Sequence, residues 1–136
     1  MGSVTERAFG YLIDTHALLW AAMGDPRISP AADAIIGDGS QELLFSAVSA
    51  MEIAMKQSAG RLELPDDAST WIRTRVAMFG LIELPLTSAH AIEAGLLPRH
   101  HRDPWDRLLV AQARVERVTF VTADAAIYQY EVTTLW

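Results

Sequence analysis

Short apolar runs alternate along the chain with longer stretches in which apolar residues recur at helical spacing. The first run, residues 9–13, ends at Asp14, and residues 16–23 then predict a helix stopped by Gly24 and Pro26. Ser29 before Pro30 supplies an N-cap with proline at the first helical position, predicting a helix over about 30–37 that Gly37 and Gly39 close. A second strand is predicted at 43–46, followed by a helix over 49–59 with Gly60 as its stop. Pro65 and Asp66 begin another helix that runs to about Met78, with Trp71, Val76 and Phe79 as core anchors. Residues 81–84 form a third strand, and Thr87 or Ser88 caps a short helix ending near Gly95. Asp103 and Pro104 open a long helix over about 104–116, and residues 118–122 are a fourth strand. Residues 125–130 predict a helical turn and 132–135 a fifth strand.

This order implies an α/β fold, a parallel sheet of about five strands with helices on both faces, which is a three-layer α/β/α sandwich. The strands read as apolar runs rather than alternating patterns, as strands covered on both faces should. With 136 residues, 51% of them hydrophobic, the chain is one domain able to bury its own core. Residues 11–136 read as that domain, and residues 1–10 as an N-terminal extension or tag remnant leading into strand one. There is no cysteine, which excludes disulfides and thiolate metal sites. No apolar run is long enough to span a bilayer, and the start of the chain lacks the apolar segment of a signal peptide. A cytoplasmic location is the resulting expectation.

The net charge of −6 argues against a nucleic-acid partner, because phosphate binding favours basic surface. Two bound divalent ions would offset four of those six excess negative charges. Arg99, His100, His101, Arg102 and Arg107 also gather around Asp103 and Asp106, as a local phosphate-binding patch or as a solvated loop before a helix. In open sheets of this kind ligands bind beyond the carboxyl ends of the strands. Asp14 follows strand one and Asp124 follows strand four, so both fall on that edge. Ser49 and Glu52 match a capping box, and Asp106 sits in the first turn of a helix that Asp103 caps. Capping alone and membership of a site both remain open for these two acids. Carboxylates converging on one crevice raise each other's proton affinity unless a cation balances them. Oxygen-only donors suit Mg²⁺ or Mn²⁺, which can activate a water and stabilise a leaving oxygen.

The pieces LIDTHALLW (12–20), SAVSAMEIAMK (46–56), HRDPWDRLLVAQA (101–113) and FVTAD (120–124) stand in an order that resembles the PIN-domain ribonucleases, and within them the VapC-type toxins of toxin–antitoxin pairs. The resemblance runs from about residue 11 onward. It implies a PIN-like five-stranded parallel sheet between helices, and hydrolysis of RNA phosphodiester bonds with one or two Mg²⁺ or Mn²⁺ ions. It implies Asp14, Glu52, Asp106 and Asp124 as the catalytic and metal-holding acids, with Asp103 as a further ligand or a supporting group. It also implies a homodimer and a cognate antitoxin protein that silences the enzyme. Thr15 and Thr122 carry hydroxyls beside two of the aspartates, His16 follows Asp14 closely, and Arg107 adjoins Asp106. These four are expected to support the site or contact RNA, with turn bonding, packing or local ion pairing as the alternatives. The tryptophans Trp20, Trp71 and Trp105 are expected to pack rather than to stack on bases. A catalytically inactive PIN-like module that binds RNA or protein is the alternative function. A phosphatase is disfavoured, because His16 stands where a second aspartate is required and Lys56 is the only lysine.

Overall fold

The structure, a computed structural model, describes residues 10–100 and 103–136. Nearly all of the N-terminal extension therefore lies outside the described residues, as do His101 and Arg102 of the basic stretch. In chain order the elements are β1 (Tyr11–Ile13), α1 (Thr15–Met23), α2 (Pro30–Asp38), β2 (Leu43–Ser46), α3 (Ala47–Ser58), α4 (Ala68–Phe79), β3 (Ile82–Leu84), α5 (Ser88–Leu96), α6 (Pro104–Glu116), β4 (Thr119–Val121), a 3-10 turn (Ala125–Gln129) and β5 (Thr134–Leu135). The five strands form one sheet in the order β3-β2-β1-β4-β5, and every pairing is parallel.

Alternation along the strands sorts the core into two layers. Leu12, Leu44, Leu84 and Phe120 face one way and pack with Leu109, Val110 and Ala113 of α6 and with Ala94 of α5. Ile13, Leu43, Phe45 and Val121 face the other way, onto Leu18 of α1, Ile36 of α2, Ile53 of α3 and Trp71 of α4. Trp71 is buried, and Val76 and Phe79 pack partly buried against the same layer. Two helical layers over doubly covered strands are what the uninterrupted apolar runs require.

Several helix boundaries differ from the sequence expectation, each for a local reason. Gly37 stays inside α2, and only Gly39 takes the left-handed conformation that ends it, at φ 74°. The helix expected from Pro65 begins three residues later, because the Asp67 side chain accepts the Thr70 N–H and makes Asp67 the N-cap. The helix expected from Ser49 begins at Ala47. Ser46, the last residue of β2, is its N-cap and accepts the Val48 N–H at 2.9 Å. The long helix α6 keeps its expected bounds, with the Asp103 carboxylate accepting the Trp105 N–H at 2.9 Å and Pro104 leading the first turn.

Candidate active site

The chain runs from β1 outward to β2 and β3, then crosses back to place β4 and β5 on the other side of β1. The strand order therefore reverses between β1 and β4, and a crevice opens there beyond the carboxyl ends of the strands. Asp14 is the first residue after β1, and its N–H donates to the Val121 carbonyl at 3.0 Å, which locks it against the end of β4. Two residues past Thr122, Asp124 caps the 3-10 turn and accepts the Ala126 N–H at 2.9 Å. The Thr122 hydroxyl joins the two acids. It donates to Asp14 Oδ2 at 2.7 Å and accepts the Asp124 N–H at 3.1 Å. Tyr128 adds a hydrogen bond from its hydroxyl to the Thr122 carbonyl.

Glu52 enters from α3. Because Ser46 caps that helix, Glu52 stands in its second turn and is no part of a capping box. Ser49 is likewise not a cap, since its hydroxyl accepts from Thr15 in the core at 2.7 Å. Thr15 thus braces α1 against α3 through its side chain, and reaches Asp14 through its backbone. Glu52 is 6% exposed and pairs with Lys56 one turn on, Oε2 to Nζ 2.8 Å. Asp103 and Asp106 come from the start of α6.

All five acids line one cleft of about 360 Å³, together with His16, Ala17, Trp20, Arg27, Lys56 and Ala123. A second cavity, about 460 Å³, lies by the opposite ends of the strands around Val118 and Thr119. Its Arg114 is already held by Glu93 and by the Glu131 carbonyl. None of the candidate acids opens into it.

Burial pushes the Asp14 carboxyl above its ordinary value of 3.8, and the neighbouring Glu52 charge adds to the rise. The Thr122 hydrogen bond, the nearby His16 and the Thr15 N–H act in the opposite direction. Among the described residues no lysine or arginine pairs with Asp14. An ionised Asp14 is therefore a desolvated charge with a negative neighbour, an arrangement a divalent cation would relieve. Among the described residues no three acidic or histidine side chains stand together as a ready-made ion cage. Mg²⁺ does not need one, because it keeps several waters and takes one or two carboxylates plus substrate phosphate. The all-oxygen donor set fits that chemistry.

The other expected supporting residues divide. His16 is exposed on the cleft, with its ring 5.9 Å from that of Trp20. Arg107 does not reach the cleft. Its guanidinium donates to the carbonyls of Ala94, Leu97 and Pro98, where it satisfies the open end of α5. His100 packs edge-on against Tyr130, ring centroids 5.0 Å apart. Trp20 is only half-buried and forms a cleft wall rather than plain packing, touching Trp136 edge-on and carrying the Arg27 guanidinium 4.7 Å above its ring. Trp71 and Trp105 pack into the core layers.

Sequence reasoning missed Arg27 and Lys56. Arg27 lies in the α1–α2 connection, where no periodicity points to the cleft. Asp25 grips it through two oxygens, and its own carboxyl is held down at about 2 by that arginine. Lys56 was readable, because a residue four positions after Glu52 shares its helix face.

The PIN-domain family model matches residues 11–132. No curated protein sequence matches the chain. Among solved structures, a chain of the DNA-bound VapBC2 complex from Rickettsia felis is 13% identical with a TM-score of 0.69, the match covering 93% of this chain and 98% of that one. A chain of FitAcB from Neisseria gonorrhoeae is 17% identical with a TM-score of 0.63, covering 93% and 96%. A chain of a toxin–antitoxin complex from Klebsiella pneumoniae is 15% identical with a TM-score of 0.58, covering 93% and 97%. At these identities the likeness is one of fold.

Proposed function

The chain belongs to the PIN-domain family, and from that premise we propose that it is a Mg²⁺- or Mn²⁺-dependent endoribonuclease, the toxin of a toxin–antitoxin pair. The observation that carries this reading is the buried, unneutralised Asp14, held by Thr122 at the switch point and facing a cleft that four further acids line. Asp14, Glu52, Asp106 and Asp124 would hold the metal, with Asp103 as a further oxygen donor. When bound, the ion supplies a water acidic enough to act as nucleophile and charge for the leaving oxygen.

The chain's own groups do the rest. Thr122 holds Asp14 Oδ2 and so fixes the orientation of a carboxylate that lines the cleft. The α6 N-terminus brings Asp106 and Asp103 to the same edge. Arg27 and Lys56 provide positive groups for the phosphates that flank the scissile one, and His16 and Trp20 provide ring surface beside them. The choice of RNA over DNA rests on family resemblance. Silencing by an antitoxin belongs to the same proposal, supported by the toxin–antitoxin complex in which a similar fold was solved, and pairing with a second copy rests on family resemblance.

The test is incubation of labelled RNA with the protein and Mn²⁺, beside an EDTA control and an Asp14→Asn variant. Cleavage in the first sample alone is expected. Equal RNA loss in all three would overturn the reading, RNA retained but uncut would point to a binding module, and phosphate released from small phosphomonoesters would point to a phosphatase. Light scattering on a sizing column tests the homodimer, and co-purification with the product of an adjacent small gene tests the antitoxin.

A further inference from the structure

The cleft holds the chain's only lysine, and that lysine is occupied. Lys56 Nζ lies 2.8 Å from Glu52 Oε2, on a carboxylate proposed above to face a metal. The two partners are not equivalent. The Glu52 side chain is 7% exposed and that of Lys56 is 34% exposed. Both side chains line the cleft, the glutamate almost wholly buried and the lysine partly open to water. If the pair separates, the ammonium swings into water on a flexible stem at little cost, and the carboxylate stays where it is. Partly exposed pairs at this helical spacing hold by roughly a factor of two, so a divalent cation displaces the lysine readily.

We propose that Lys56 is an exchangeable counterion. In the metal-free protein it neutralises Glu52; a divalent ion takes its place, and the released ammonium then faces the phosphate of the substrate strand. This inference rests on the metal-dependent nuclease reading. It explains how a buried glutamate beside a buried aspartate is tolerated before metal arrives, since Lys56 offsets the Glu52 charge that raises the Asp14 carboxyl. It also explains why a cleft with five acids can accept a polyanion, because metal entry both cancels negative charge and frees a positive group.

The experiment measures Mn²⁺ binding by calorimetry to the full chain and to Lys56→Met and Lys56→Arg. Removing the competing charge is expected to tighten Mn²⁺ binding about threefold, since a pair that holds by roughly a factor of two leaves about a third of Glu52 free for the ion. Lys56→Arg retains the wild-type affinity. In cleavage assays Lys56→Met raises KM for a labelled RNA several-fold with a smaller change in kcat. Circular dichroism melts in EDTA verify that the variants are folded. Mn²⁺ affinity that is unchanged or weaker in Lys56→Met would overturn the competition, and tightened metal binding with an unchanged KM would overturn the phosphate contact. Should wild type bind Mn²⁺ competitively with Lys56 yet cut no RNA, the nuclease reading fails while the counterion exchange stands.

Discussion

A single residue, Asp14, carries opposite demands. The fold buries it, holds one oxygen through Thr122 and sets Glu52 beside it. Burial first, and the Glu52 charge after it, raise its proton affinity in the folded state. A carboxyl raised on folding contributes stability below its unfolded value, near 3.8, and loses that contribution as pH rises through the folded value. At neutral pH without metal the ionised side chain therefore works against the fold. Asp14→Asn is expected to raise stability in EDTA by on the order of 1 kcal/mol, about 3 °C in melting temperature. The gain should shrink as pH falls through the raised value at which folded wild type takes up its proton, and should reverse in Mn²⁺, which binds only wild type well. Thermal melts across pH, with and without metal, check both signs. A lower melting temperature for the variant in EDTA would mean that Asp14 is stabilised by something other than an absent cation.

At the scale of elements, helix starts decide which residues reach the cleft. The bounds of α6 were legible because aspartate, proline and a periodic apolar face agree on one start. For α3 the sequence favours Ser49 as the cap because Glu52 follows at capping-box spacing. The structure chooses Ser46 for a reason that is not local. Its hydroxyl also donates to Gln112 Oε1 of α6 at 2.5 Å, a partner 66 residues away. Ser46→Ala should therefore cost about 2 kcal/mol, from the lost cap and a buried glutamine oxygen left without a donor. Ser49→Ala should cost less, about 1 kcal/mol, since it removes one hydroxyl pair. Urea unfolding of both variants tests the order; a costlier Ser49→Ala would restore the capping box. Arg107 also takes long-range partners that the sequence does not mark, since its fork closes the end of α5. Arg107→Met should lower stability by about 1–3 kcal/mol, because up to three carbonyls lose a charged donor. Its Kd for an RNA oligonucleotide in Ca²⁺ should match wild type, whereas Arg27→Ala should weaken binding several-fold.

At the scale of the molecule, the sheet order made Asp14 and Asp124 legible, because any parallel sheet that reverses direction opens its crevice at strand ends. The charge balance weighs against the proposed function only when it is read as an average. A net charge of −6 speaks against a polyanion partner only if charge is averaged over the surface, and the cleft is where that average fails. Its lining brings five acids together with two permanently charged cations, Arg27 and Lys56. On the proposed reading, nucleic-acid binding would depend on a metal and few side chains rather than on a basic face. Each phosphate neutralised on a single strand contributes about −0.7 to the slope of log K against log salt. Two cationic contacts thus predict a slope near −1.4, measured by fluorescence anisotropy of a short RNA in Ca²⁺ over about 50 to 200 mM monovalent salt. Affinity should fall sharply in EDTA, because no divalent cation then offsets the negative charge of the cleft. A slope steeper than about −4 would require more phosphate contacts than the cleft provides. It would shift the strand's path toward Arg99 and the basic residues before α6, with the catalytic acids reached from that side.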